Sequence, residues 1–297
     1  MKLDDTSFIL CIDDTSSNLA FEKRNVSMVH SRIHIWHTGE VYIDQALAFE
    51  EKTLHPMPYT GWLRPKAKKK WVPVSVYLIE HPNGLLLVDT GWHAEMRENQ
   101  RKHLGVFASS MFKGRLPEGE AVHEQLSRYG IKAAEIDYVL LTHLHSDHVS
   151  GLKHVSEAKK ILVSQPEWKA AHRGVGYIKS MWQGVNVTPF ELTEIPYGPY
   201  KLGLDLFQDG SVYLVHTPGH STGQFSVLVQ TKQGWVLLAS DVGYGAASFT
   251  HGILPGSTTD KRAAQRSLHW AKEFMAREDC LMTIANHDPE ITPQVIG

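Results

Sequence analysis

Cysteine is nearly missing from this chain: only Cys11 and Cys280 occur in 297 residues, and they stand far apart. No disulfide framework follows, and the two are not spaced as a metal clip. Long apolar runs are missing as well. No stretch approaches the roughly 18 apolar residues that span a bilayer. Phe8-Ile9-Leu10-Cys11-Ile12, behind the acidic start Met1-Lys2-Leu3-Asp4-Asp5, is too short for a secretory core. These absences predict a cytoplasmic protein that uses no membrane, with a secreted form as the alternative. An excess of one charge is also absent: 30 Lys and Arg against 32 Asp and Glu leave a net charge of −2. That balance gives no electrostatic footprint for nucleic acid. The one basic run, Lys66-Ala67-Lys68-Lys69-Lys70, reads as a solvated loop rather than a phosphate or membrane patch. No Gly-rich phosphate loop of the GxGxxG or Walker kind occurs. The expected partner is a small-molecule substrate, bound by a monomer or homodimer.

The remaining composition is ordinary in bulk. Hydrophobic residues make up 42% and charged residues 21%, the balance of a soluble globular protein. The length allows a large core, in one α/β domain or two smaller ones. Residues 1–28 carry polar clusters such as Asp13-Asp14-Thr15-Ser16-Ser17-Asn18 and read as an extension packed on the core. Strand-like runs follow at Arg32 to His37 and Gly39 to Ile43, then a long loop over 44–71 punctuated by Pro56, Pro58, Gly61 and Pro65. A loop of that length is a candidate wall for a binding site.

Val74 to Ile79 and Leu85 to Val88 read as a hairpin on the Asn83-Gly84 signal, and Asp89-Thr90-Gly91 ends its second strand. An amphipathic helix over Glu120 to Tyr129 stops at Gly130. A buried strand at Ile136 to Leu141 precedes another at Lys160 to Ser164 and a helix opening at Pro166. The second half repeats this order. It has a strand at Val212 to His216, a hairpin of Gln224 to Val229 with Trp235 to Ala239, a helix over Asp260 to Ala276 and a strand at Leu281 to Ile284. Two comparable halves of this kind predict an α/β sandwich, with helices packed outside two mixed or mainly antiparallel sheets.

The densest chemistry stands at 142–151, where His143, His145, Asp147 and His148 form an HxHxDH cluster. Side chains alternate across a strand, so imidazoles at i and i+2 point the same way. The Asp and His beyond the turn can face a second position beside the first. Nitrogen and carboxylate donors of this kind suit zinc or a similar divalent ion. Three more candidates, His220, Asp241 and His287, each follow an apolar strand. Five histidines and two aspartates can hold two divalent ions with one aspartate between them, leaving open positions for a shared water. Zinc is the first expectation; iron, cobalt or manganese are admitted by the same donors.

Taken in order, Asp89-Thr90-Gly91, the 143–148 cluster, His220, Asp241 and His287, the chain resembles the metallo-β-lactamase superfamily from about residue 74 to 288. The resemblance implies a single αββα sandwich domain over 29–297 with metals at one edge of its sheets. It implies a first metal on His143, His145 and His220, a second on Asp147, His148 and His287, and Asp241 as the bridge. Asp89 would orient the ligand loop. Asp241 speaks against the class B β-lactamases, which lack that aspartate. His145 speaks against the flavin-linked di-iron members, and the short run after His287 against glyoxalase II with its added domain.

Intervals of 21 residues from His220 to Asp241 and 46 from Asp241 to His287, with Tyr244 three after the bridge, are similar to the N-acyl homoserine lactone lactonases. That quorum-quenching branch implies a hydrolase in which Tyr244 binds the substrate carbonyl. A water shared by two cations loses its proton near neutral pH, and the hydroxide would attack the lactone. Tyr244 would steady the oxyanion, and Asp147 would pass a proton to the leaving alkoxide. Tyr42 to Trp62 and Phe107 to Phe112 are candidate walls for the acyl chain, or core. The N-terminal extension and the long 92–120 segment depart from the shorter lactonases and leave substrate range open. Another esterase, a thioesterase or a phosphodiester hydrolase on the same site is the alternative, and a metal-binding module without catalysis is a second.

Overall fold

Along Lys69–His81 the side chains alternate between two interiors. Tyr77 and Ile79 point one way, Val74, Val76 and Leu78 the other, and all five are buried. A strand buried on both faces needs a layer on each side, and the computed structural model supplies both. It describes residues 30–174 and 176–297, so the polar stretch over 1–28, Cys11 included, lies outside the described residues.

The first sheet is built from β1 (Arg32–Asp44), β2 (Lys69–His81), β3 (Gly84–Val88), β4 (Lys113–Arg115), β5 (Tyr138–Leu140), β6 (Lys160–Ser164) and β7 (Thr188–Phe190). The second holds β8 (Thr193–Glu194), β9 (Leu202–Asp205), β10 (Val212–His216), β11 (Phe225–Thr231), β12 (Gly234–Ser240) and β13 (Cys280–Ala285). The last strand, β14 (Gln294–Ile296), returns to pair with β1. Pairing runs β14-β1-β2-β3-β5-β6-β7 in one sheet, with β4 on β1, and β13-β12-β11-β10-β9-β8 in the other. The two runs expected over 32–43 are one strand that shifts register between His37 and Glu40. Gly39 makes the bend at φ +75°, where a Cβ would collide with the Arg115 carbonyl oxygen.

The β2–β3 hairpin forms, but His81 pairs directly with Gly84. Its turn is therefore Pro82-Asn83, one residue earlier than the Asn-Gly signal places it. The expected loop over 44–71 begins with a helical turn, Gln45–Ala48, capped by Asp44. Arg64 then pins the segment, donating to both Asp44 oxygens at 3.1 and 2.9 Å and to Glu51 at 2.6 Å.

Ile33, Ile79, Leu86, Val212, Phe225 and Val236 fill the space between the sheets. On one outer face Val76 and Leu87 pack under helices through residues such as Leu126. On the other, the helix Lys261–Met275 buries Leu268 and Phe274 against the second sheet. The layers are helix, sheet, sheet, helix. Each fully buried Leu, Ile or Phe in them contributes about 1.5–3 kcal/mol. Among the described residues no helix is long and apolar enough to cross a membrane.

Strand direction decides where the loops gather. β3, β5 and β6 are parallel, and so are β12 and β13, while β10 runs antiparallel to β11 and hence along β12. The carboxyl ends of these strands therefore deliver their loops to common edges.

Candidate active site

β5 runs through Leu141 and Thr142 into His143, and a single helical turn, Ser146–Val149, carries Asp147 and His148. The segment after β10 brings His220, β12 ends into Asp241, and β13 leads to His287. His143, His148, His220, Asp241 and His287 are buried; His145 and Asp147 are half-buried. All seven expected ligands meet. Donor atoms of His143, His145 and His220 lie within 4.8 Å of one another, as do those of His143, His148 and Asp241, and those of Asp147, His148 and His287. Asp241 stands between the groups: Oδ1 is 3.3 Å from His148 Nε2, while Oδ2 is 3.5 Å from both His220 Nε2 and His287 Nε2. Asp147 Oδ2 lies 3.3 Å from His287 Nε2.

One of these contacts is a hydrogen bond, between His145 Nδ1 and His220 Nε2 at 2.9 Å; other atoms facing the same space have no partner. His143 Nε2, His148 Nε2, His287 Nε2 and Asp241 Oδ1 are buried with no partner. An orphaned buried polar atom costs about 1–3 kcal/mol, so four aimed at one space mark a place that fits a cation. The charges around the site point the same way. Burial would lower His287, but Asp241 and Asp147 outweigh it and raise it to about 10. Burial likewise opposes the charge on His148, and Asp241 and Asp89 hold it well above its ordinary range. The site draws in positive charge, and imidazole with carboxylate suits a divalent ion such as zinc.

The remaining ring nitrogens are spent on orientation. His148 Nδ1 bonds Asp89 Oδ2 at 2.8 Å and His287 Nδ1 the Pro73 carbonyl at 2.7 Å, leaving each Nε2 to face the centre. Asp89 Oδ1 accepts from the Thr142 amide and Oδ2 from the Thr142 hydroxyl, both at 2.8 Å. Ser240 donates to that same hydroxyl at 2.9 Å. Asp89 and Ser240 both sit in the left-handed region, at φ +58° and +52°. Asp89 thus stands where the resemblance expects an orienting residue, with Thr142 as the shared partner.

Comparison with known proteins identifies the family. A family model described as the metallo-beta-lactamase superfamily matches residues 70–274. The chain belongs to the metallo-beta-lactamase superfamily. Among its relatives is an N-acyl homoserine lactonase of Bacillus cereus, 30% identical over 74% of this chain and 82% of that protein. The N-acyl homoserine lactonase AttM of Azorhizobium caulinodans is 27% identical over 75% and 84%. A solved N-acyl homoserine lactone hydrolase, with N-hexanoyl-L-homoserine bound at its catalytic metal center, superposes with a TM-score of 0.71. It is 25% identical, covering 89% of this chain and 95% of that one.

In this superfamily member the edge that gathers the seven candidate ligands opens into a cavity of about 240 Å³. Its lining joins His145, Asp147, His220, Asp241, Tyr244 and His287 to the apolar Val41, Ile43, Leu47, Phe107, Met111 and Phe112, with Ser257, Thr258 and Thr259 beside them. Tyr244 is buried and stacks on His287, ring centroids 5.0 Å apart at 20°. Of the aromatic segments expected as walls, Phe107 and Phe112 do line the cavity, and Tyr59 joins them. Tyr42 does not. It alternates outward on β1 and packs against the Trp71 ring at 5.0 Å. Thr142, Ser240 and Glu167 support the site without having stood out in the sequence. Thr142 is next to the motif, and Ser164-Gln165-Pro166-Glu167 has the spacing of a helix-capping box, which could have singled out the glutamate. Nothing in the sequence marks Ser240.

Proposed function

We propose that this protein is a two-metal hydrolase that opens the lactone ring of N-acyl homoserine lactones. The observation that carries the proposal is that one cavity is lined both by metal-capable groups with a tyrosine and by apolar side chains such as Val41, Ile43, Leu47 and Phe107. An N-acyl homoserine lactone has the matching parts, a hydrolysable polar ring and an apolar tail. Similarity to enzymes named N-acyl homoserine lactonases supports the same substrate class.

In this reading His143, His145 and His220 hold one cation, Asp147, His148 and His287 the other, and Asp241 lies between. Bound there, zinc or a similar divalent pair would supply Lewis acidity and acidify water near neutral pH. The chain's own groups do the rest. Burial first, then Asp241 and Asp147, hold the Tyr244 phenol well above its ordinary range, so it stays a donor. It donates to the lactone carbonyl oxygen as negative charge gathers there. Asp147, whose side chain keeps 19% exposure toward the cavity, takes the proton of the attacking water. It returns that proton to the ring oxygen as the carbon–oxygen bond breaks. The product is an N-acyl homoserine.

Purified protein incubated with C4 to C12 acyl homoserine lactones should release one proton per ring opened. A chelator should stop turnover and added zinc restore it. Inertness across the lactone panel, with turnover of thioesters, other esters or phosphodiesters, would overturn the substrate and leave the hydrolase.

A further inference from the structure

Glu167 is fully buried and lies outside the ligand set. It sits in the first turn of the helix Gln165–Arg173, where the Ser164 hydroxyl caps its amide at 3.2 Å. In a capping box the glutamate carboxylate folds back onto the amide of the capping residue. Here it reaches away. Oε1 accepts from the Leu144 amide at 3.1 Å and the Tyr177 hydroxyl at 3.0 Å. Oε2 accepts from the Ser221 hydroxyl at 2.8 Å and the Gly223 amide at 2.9 Å. Hydrogen bonds to an ionised acceptor are the stronger kind, and two donors on each oxygen use the carboxylate's capacity well.

The identity of those donors gives the cluster its meaning. Leu144 lies between His143 and His145, and Ser221 follows His220. Both segments that carry the first cation's histidines are thus held by one side chain. Tyr177 adds a ring 5.4 Å from the His145 ring. Burial, then Glu167 itself, pushes its phenol far above the ordinary value, so it remains a donor. Gly223 makes the approach possible, because a Cβ there would collide with the Glu167 amide nitrogen. None of the four donors belongs to Asp147, His148 or His287. Those lean on other groups, His148 on Asp89 and His287 on the Pro73 carbonyl.

We propose that Glu167 is a positioning residue for one cation only: it sets the spacing of His143, His145 and His220 by clamping their two segments together. The inference rests on reading these histidines as ligands. Glu167→Gln keeps the volume but offers one accepting oxygen and turns an NH2 group toward two donors. The segments then lose their common anchor, while the second ligand group keeps its own.

The test is zinc titration of chelator-stripped, full-length protein, followed by calorimetry, with cobalt(II) absorption reporting ligand geometry. Wild type should take two equivalents. Glu167→Gln should weaken one by about 10–100-fold, as loss of an outer partner of a ligand does, and change only that equivalent's cobalt bands. Ser221→Ala, which removes a single donor, should weaken the same equivalent by a smaller factor. It carries the comparison if Glu167→Gln yields no soluble protein. A merely structural role would lower both affinities together with the thermal midpoint of the metal-free protein, and that result overturns the proposal. Two wild-type affinities in the variants overturn it as well. Wild type that takes no cation removes the two-metal reading itself, a failure distinguishable because it needs no variant.

Discussion

Histidines gather twice in this protein. At the sandwich edge most ring pairs meet steeply, at 85° between His143 and His145, 86° between His143 and His220 and 89° between His148 and His287, with His143 and His148 tilted at 48°. Elsewhere His93, His154 and His123 form a column, 3.9 Å from ring to ring at 14° and 29°, with His103 beside His93 at 20°. Proximity does not separate the two groups, since donor atoms of His93, Glu95 and His103 also lie within 4.8 Å of one another. Direction and unused lone pairs do. Nearly parallel rings do not aim their nitrogens at one point. Half of the column's eight ring nitrogens are hydrogen-bonded within the protein: His93 Nδ1 and His154 Nε2 each accept from a backbone amide at 3.1 Å. His103 spans Glu95 at 3.0 Å and Ser150 at 2.7 Å. Among the described residues, the only ring nitrogen of the column that is buried without a partner is His123 Nδ1, against three ring nitrogens at the sandwich edge. Histidine density alone therefore says little about metal binding, and the accounting of donors says much.

The largest expected effect separates the groups outright. Asp241→Ala should lower kcat/KM by on the order of 10³-fold, about 4 kcal/mol, and take the metal count below two. The double variant His93→Ala with His103→Ala should keep both the count and the rate. Metal lost from the double variant would make the column a site after all. An intermediate effect lies in Tyr244→Phe, which should cost about 10²-fold in kcat, the scale of a lost oxyanion donor, at unchanged metal content. A changed count would move Tyr244 from chemistry to ligand support.

The smallest effect is on pH. Burial first, then His93 and His123, draw His154 down to about 3; burial chiefly lowers His93 and His123 as well. An unfolded imidazole titrates near ~6.5. Between those values the unfolded chain binds protons that the folded column refuses, so stability falls as pH drops through that window. His123→Phe keeps a ring in the stack and removes one such group. Its gain in thermal midpoint over wild type should be larger by a few degrees at pH 5 than at pH 8, where only the loss of the unpartnered Nδ1 acts. An equal gain at both pH values would show that these rings titrate like exposed ones.

The sandwich and the cluster of candidate ligands were legible in the residues because both write themselves locally. Apolar runs mark β2, β10 and β12, and four candidate ligands fall within 143–148. His220, Asp241 and His287 each follow a strand, so topology gathers them. Glu167 was not legible as a clamp, since its partners lie 23, 54 and 56 residues away in sequence. The column was equally hidden: His93, His103, His123 and His154 share no spacing that suggests a stack. Tyr42 and Tyr59 look alike as aromatics of one segment, and only the pleat of β1 turns the first outward.

Asp89 also shows how such a site can be lost. Its backbone is left-handed, a conformation that asparagine tolerates as well as aspartate does. Asp89→Asn therefore satisfies the main chain. It does not satisfy the three donors from Thr142 and His148 that now share the carboxylate. In an evolving lineage, one exchange of this kind leaves the sandwich standing and the edge silent. Descent can shed the chemistry while inheritance of the fold continues.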